Sequence, residues 1–132
     1  MPAPDDATRS AHAAVTTRLV EEVLVGGNLG MLDRLYTPAL APVAHRWIAP
    51  FHTSFPDVRM QIVQLVREED TVAARFRCSG IQLGPWRGHA PTGRRFENID
   101  EAYLFTFREG LIAKAWGLAD TLERFRRLGL RP

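Results

Sequence analysis

The hydrophobic period of this chain changes once, at Phe55-Pro56-Asp57. Before that point apolar residues recur every three or four positions, the period of a helix; after it they alternate, the period of a half-buried strand. Helices followed by strands predict an α+β fold in which a curved antiparallel sheet wraps over the helices and leaves a cone with an open mouth. Ala11, Ala14, Val15, Leu19 and Val23 mark a first helix from Ala7 to Val25, stopped by Gly26-Gly27. Asn28 is placed to cap a second helix through Tyr36, and Pro38 and Pro42 bound a break. A third helix, Val43 to Thr53, puts Val43, Trp47 and Phe51 along one stripe. Met60, Ile62 and Leu65 then open a first strand that ends at Glu68-Glu69-Asp70, and Val72, Ala74, Phe76 and Cys78 alternate with Arg75 and Arg77 in a second. Phe96 to Phe107 and Leu111 to Leu118 form a hairpin around Glu109-Gly110, and a last helix runs from about Asp120 to Leu128, ended by Gly129.

A length of 132 residues fits one domain over the whole chain, with residues 1–6 expected to be disordered. Hydrophobic residues make up 45% of it, enough for a core and too many for a disordered chain. The formal net charge is +2, and the basic residues stand singly except at Arg94-Arg95 and at Arg124, Arg126 and Arg127, without the interleaved aromatics of a nucleic-acid groove. Nucleic-acid binding is not expected. One lysine, Lys114, against sixteen arginines reads as the codon bias of a GC-rich bacterial genome. Cys78 is the only cysteine, so no intramolecular disulfide forms, and a buried free thiol suits a reducing cytoplasm. Neither a signal-peptide pattern nor a membrane-length apolar run is present, so a membrane partner is not expected either.

Five segments in order carry a resemblance: Phe55-Pro56-Asp57; Pro91-Thr92-Gly93-Arg94-Arg95-Phe96; Phe107-Arg108-Glu109-Gly110-Leu111-Ile112; Trp116 with Asp120; and Leu128-Gly129. Together they resemble the SnoaL-like polyketide cyclases, most closely from Phe55 almost to the end and loosely in the helical half. The resemblance implies a nuclear transport factor 2-like cone, a homodimer packed through the outer sheet face, and ring closure of a polyketide by an intramolecular aldol reaction. It also implies a catalytic aspartate, which falls on Asp120. An aldol closure takes one proton from an acidic carbon and delivers one to a forming alkoxide, and a carboxyl group in an apolar cavity can do both. No cofactor or metal is required when the substrate's carbonyls delocalise the carbanion.

Three departures distinguish this chain within that resemblance. The loop from Tyr36 to Pro42 is short and lacks the histidine and asparagine common there. Tyr103 replaces a strand-three histidine, and Lys114 replaces an acidic residue two positions before Trp116. Tyr103 donates a hydrogen bond but does not shuttle a proton near neutral pH.

Around Asp120, the residues expected to bind a small-molecule substrate are Tyr103, Trp116, His52, Trp47 and Glu101. Asp120 also suits a helix N-cap and Trp116 a core position. His45 and His52, seven apart, share a helix face without the carboxylates of a metal site. Glu101, Tyr103, Phe105 and Phe107 share one face of the third strand, and Asn98, Asp100 and Thr106 the other; periodicity leaves open which is inner. Arg75 and Arg77 are placed to pair with acids of that strand as a surface ladder. The expected function is a cyclase or isomerase of a carbonyl-rich, polyketide-like molecule; the alternatives are an epoxide hydrolase or hydroxylase on the same fold, and a non-catalytic binding or dimerising module.

Overall fold

The computed structural model describes residues 5–132. Helix α1 spans Asp6–Arg18 and is capped by Asp5, whose carboxylate accepts from the Thr8 N–H at 2.8 Å. Residues 1–4 of the stretch expected to be disordered lie outside the described residues. From Leu19 to Val25 the helix widens to π geometry, which turns Leu19, Val20 and Val23 inward. It stops where expected. A Cβ on Gly26 would stand 2.6 Å from the Glu22 carbonyl, and Gly27 has a φ of +72°, so neither site accepts a larger residue without strain. After a 3₁₀ turn over Leu29–Met31, α2 (Leu32–Leu35) follows; Asn28 precedes the turn but its side chain makes no capping bond.

Helix α3 spans Ala41–Ser54 and begins earlier than the sequence predicts, because Pro42 lies in its first turn, where proline lacks no needed N–H. Its buried positions are Ala41, Ala44 and Ser54, whereas Trp47 is 65% exposed, so the expected stripe of Val43, Trp47 and Phe51 is rotated from the buried side. Small residues let the helix approach the core closely.

Strands β1 (Arg59–Glu68), β2 (Thr71–Ile81), β3 (Arg95–Arg108) and β4 (Leu111–Ala119) form one antiparallel sheet in the order β1-β2-β3-β4. Irregularities at Ile62/Gln64, Cys78/Gly80 and Thr106/Phe107 interrupt the ladders at three places, where sheets bend and coil. Helix α4 (Thr121–Arg127) closes the chain against β3. Register settles the face that periodicity left open: Val72, Ala74, Phe76 and Cys78 pair with Phe105, Tyr103, Glu101 and Ile99, and all of them but half-buried Tyr103 are buried. The opposite face carries Arg75 paired to Asp100 at 2.8 Å, the surface ladder expected for that arginine.

Two apolar clusters result. One joins Leu19, Val23, Leu35, Phe76, Phe105 and Ile112 beneath the helices. The other gathers Phe55, Phe96, Phe125 and Leu128 near α4, with Phe96 edge-on to Phe55 at 5.0 Å. Truncating a fully buried ring such as Phe55 to alanine costs about 3–5 kcal/mol.

His12 enters the first region as a buried polar residue, stacked on Phe107 at 4.3 Å, with Nδ1 buried and, among the described residues, without a hydrogen-bond partner. Burial lowers its pKa, against the opposing pull of the Asp70 charge. The unfolded chain therefore takes up a proton here before the folded one does, and stability falls as the pH drops below about 6.5, the value of a free imidazole. Urea midpoints measured between pH 7.5 and 5.5 are expected to decline for the wild type and to decline less for His12→Phe.

Candidate functional site

A cavity of about 250 Å³ lies between the helices and the inner face of the sheet. Its wall is mainly apolar, with Leu19, Ile48, Phe51, Met60, Phe76 and Phe105 among the contributors. Its polar groups come chiefly from β3 and α4. Two residues apart on β3, Glu101 and Tyr103 face the same way. The Tyr103 ring lies against Gly117 of β4, where any Cβ would collide with it.

The Tyr103 hydroxyl donates to Glu101 Oε1 at 2.7 Å, and Arg124 Nη2 donates to Glu101 Oε2. Both charged side chains are only 4% exposed. The guanidinium also lies over the rings of Phe96 and Phe51, at 4.8 and 5.2 Å from their centroids. Aromatic faces and a carboxylate together replace the water that a buried arginine gives up. Burial, reinforced by the Glu101 charge, pushes the Tyr103 hydroxyl far above its ordinary pKa, so it remains a proton donor in hydrogen bonds throughout the physiological range. The same causes raise Cys78, which stays a thiol. Among the described residues, His52 Nε2 and Arg124 Nε are buried without a hydrogen-bond partner.

Of the residues singled out in the sequence, Tyr103, Glu101, His52, Trp47 and Trp116 reach the cavity wall. Trp116 does so from the outer side: it pairs with Leu104, one position out of phase with Tyr103, and is 56% exposed. Asp120 lies at the strand-to-helix junction as the N-cap of α4, exposed, accepting from the Glu123 N–H at 3.1 Å. Its chain neighbours Ala119 and Thr121 line the cavity, and Asp120 itself does not. His45 is exposed and apart from the wall.

The architecture and the matched sequence agree. A model of the SnoaL-like polyketide cyclases matches residues 43–128, well over half the chain. The chain belongs to the SnoaL-like polyketide cyclase family. No curated protein matches it by sequence. A candidate SnoaL-like polyketide cyclase from Jannaschia sp. CCS1 superposes with a TM-score of 0.88 at 19% identity, over 99% of this chain and 100% of that one. TsrD from Streptomyces laurentii gives 0.79 at 26% identity, over 97% and 99%, and AclR from Streptomyces galilaeus, a candidate hydroxylase, gives 0.83 at 19%, over 94% and 84%. The SnoaL-like cone is thus the fold of the whole described chain.

Within this SnoaL-like site, Arg124 is a residue that sequence reasoning missed, because it stands with Arg126 and Arg127 as one of a group of basic residues and nothing in that grouping singles it out. A signal was present: Arg124 shares the inner stripe of α4 with Phe125 and Leu128, both buried, whereas Arg126 and Arg127 face water. A charge on an apolar stripe needs a buried partner, and β3 supplies Glu101. Removing one member of such a pair leaves the other uncompensated, so Arg124→Met is expected to lose about 3–5 kcal/mol in urea unfolding. Arg75→Met, which breaks a pair about half-exposed on the outer face, is expected to lose less than about 1 kcal/mol.

Proposed function

We propose that this chain is a cyclase or isomerase of a carbonyl-rich, polyketide-like small molecule, working by acid/base chemistry without a cofactor. The observation that carries this reading is the cavity itself: apolar walls around one hydrogen-bonded cluster that contains a carboxylate, a phenol and a guanidinium. Apolar walls hold the hydrocarbon skeleton of a folded polyketide, and the cluster presents donors to its oxygens. Family membership supports the reaction class, and the family's position for the catalytic acid corresponds to Asp120. At the cavity's edge, between two wall residues, Asp120 is placed to return a proton to the alkoxide formed on ring closure. Tyr103, His52, Trp47 and Trp116 are assigned to substrate binding.

AclR is a candidate hydroxylase, and the related alternative on this fold is an epoxide-opening reaction. It needs two carboxylates flanking an arginine, and among the described residues the cavity wall brings only Glu101 to Arg124. The cyclase reading is therefore preferred. Its test is turnover of a panel of linear and partly cyclised polyketide intermediates, followed by mass spectrometry. Asn caps a helix as well as Asp, so Asp120→Asn keeps its fold and is expected to lose about 100-fold or more in turnover. Undiminished turnover moves the protonation elsewhere in the cavity, and binding without turnover makes the chain a ligand-binding module.

We also propose a cytoplasmic homodimer formed through the outer sheet face. Leu104, Trp116 and Leu118 are large apolar side chains left exposed there on adjacent strands. Sedimentation of the wild type is expected to give twice the chain mass, and Leu104→Glu with Leu118→Glu a single chain mass.

A further inference from the structure

We infer that Glu101 is the base that removes the carbon-bound proton, and that Arg124 is the counter-ion which follows the negative charge from Glu101 to the substrate oxygen. This assignment rests on the cyclase reading above. Among the described residues Glu101 is the one carboxylate in the cavity wall, and Arg124, its ion-pair partner, lines the same wall. A buried ion pair is a poor way to gain stability, because desolvation offsets most of the attraction; in a mainly apolar cavity wall it points to a working group.

The pair is only partly satisfied. Arg124 Nη2 is engaged by Glu101, while Nε is buried with no acceptor among the described residues. A guanidinium in that condition has capacity for a second oxygen. Glu101 in turn holds one donor on each oxygen, Tyr103 on Oε1 and Arg124 on Oε2, and each oxygen keeps a lone pair.

The step balances as follows. The C–H bond between two carbonyls breaks, its proton forms an O–H bond on Glu101, and the electron pair left on carbon delocalises into a carbonyl to give an enolate. The cavity's net charge does not change: Glu101 becomes neutral as the substrate oxygen becomes negative, and Arg124 faces one anion before and one after. In a medium of low dielectric this matters, since a step that separated charge would be opposed strongly. Tyr103, always protonated, is free to turn its hydroxyl from Glu101 to the enolate oxygen as Glu101 loses its charge. The carbon nucleophile then attacks the second carbonyl, the alkoxide takes its proton from the Asp120 carboxyl at the edge, and Asp120 regains a proton from water as Glu101 releases its own.

Exchange of the α-proton of an α-substituted β-ketoester for deuterium, read by proton NMR, isolates the first half of this sequence. Wild type and Arg75→Met, altered only on the outer face of the sheet, are expected to exchange at equal rates, and Glu101→Gln to be slower by about 100-fold or more. Glu101→Asp keeps the charge and the pair but withdraws the carboxylate by one methylene, and is expected to lose about 100-fold as well. A second measurement reads Arg124 directly. With 4-nitrophenol as an enolate mimic, Glu101→Gln is expected to bind the phenolate form, seen by its absorbance, and to gain thermal stability from it. The wild type is expected to bind the neutral phenol, and Glu101→Gln with Arg124→Met to bind no phenolate.

Wild-type exchange in folded Glu101→Gln or Glu101→Asp overturns the assignment, as does a wild type inert to the ketoester. Absence of phenolate binding in folded Glu101→Gln overturns the role of Arg124. A wild type that exchanges the ketoester proton through Glu101 but cyclises no polyketide leaves the assignment standing and overturns the cyclase reading.

Discussion

The ion pair between Glu101 and Arg124 is the constraint around which this molecule is arranged. It ties the middle of β3 to the terminal helix, across the seam between the two apolar clusters. Neither charge is tolerable there alone, so the helix must dock in the one orientation that turns Arg124 inward, and β3 must keep the register that turns Glu101 toward it. The Phe51 and Phe96 rings then pack against the guanidinium, Tyr103 completes the carboxylate, and Gly117 stays bare to admit the Tyr103 ring. Four elements, α3, β3, β4 and α4, converge on one pair of charges.

The segments that reveal the family have a different task, and most of them hold loops and ends. Asp57 accepts from the Ile81 N–H at 2.9 Å, tying the start of β1 to the end of β2. Thr92 bonds through its N–H and hydroxyl to the fully buried Gln82, at 3.2 and 2.8 Å, which pins the long loop from β2 to β3. That loop brings Trp86 and Arg87 to the cavity wall. Glu109 and Gly110 both adopt positive φ in the β3–β4 turn, Asp120 caps α4, and Gly129, at a φ of +69°, follows its end. A motif set of this kind specifies a cone and where its wall loops run, while leaving the interior groups free to differ. Tyr103 in place of histidine is such a difference.

Much of the fold is legible because local physics decides it. The period change at Phe55 separates helices from strands, and glycine and acidic turn residues end elements almost where the structure ends them. Deviations came where packing overrode local preference. Pro42 was read as a break and lies in the first turn of α3; the end of the first helix is a π segment that no periodicity of 3.6 would announce. Trp47 and Trp116 belong to the cavity wall while staying more than half exposed, so Trp116 does not take the core position that also suited it and the stripe through Trp47 is not the buried one.

By itself, the chain's order of apolar residues and turn residues determined the element sequence, the antiparallel meander and the family, because each depends on contacts close along the chain. Which face of β3 is inner, and with it the burial of Glu101 and Tyr103, was decided by cross-strand register. The pairing of Glu101 with a residue 23 positions later was decided by the docking of α4. A one-residue change of phase exchanges the two faces of a strand at no local energetic difference, so only the assembled core could choose between them.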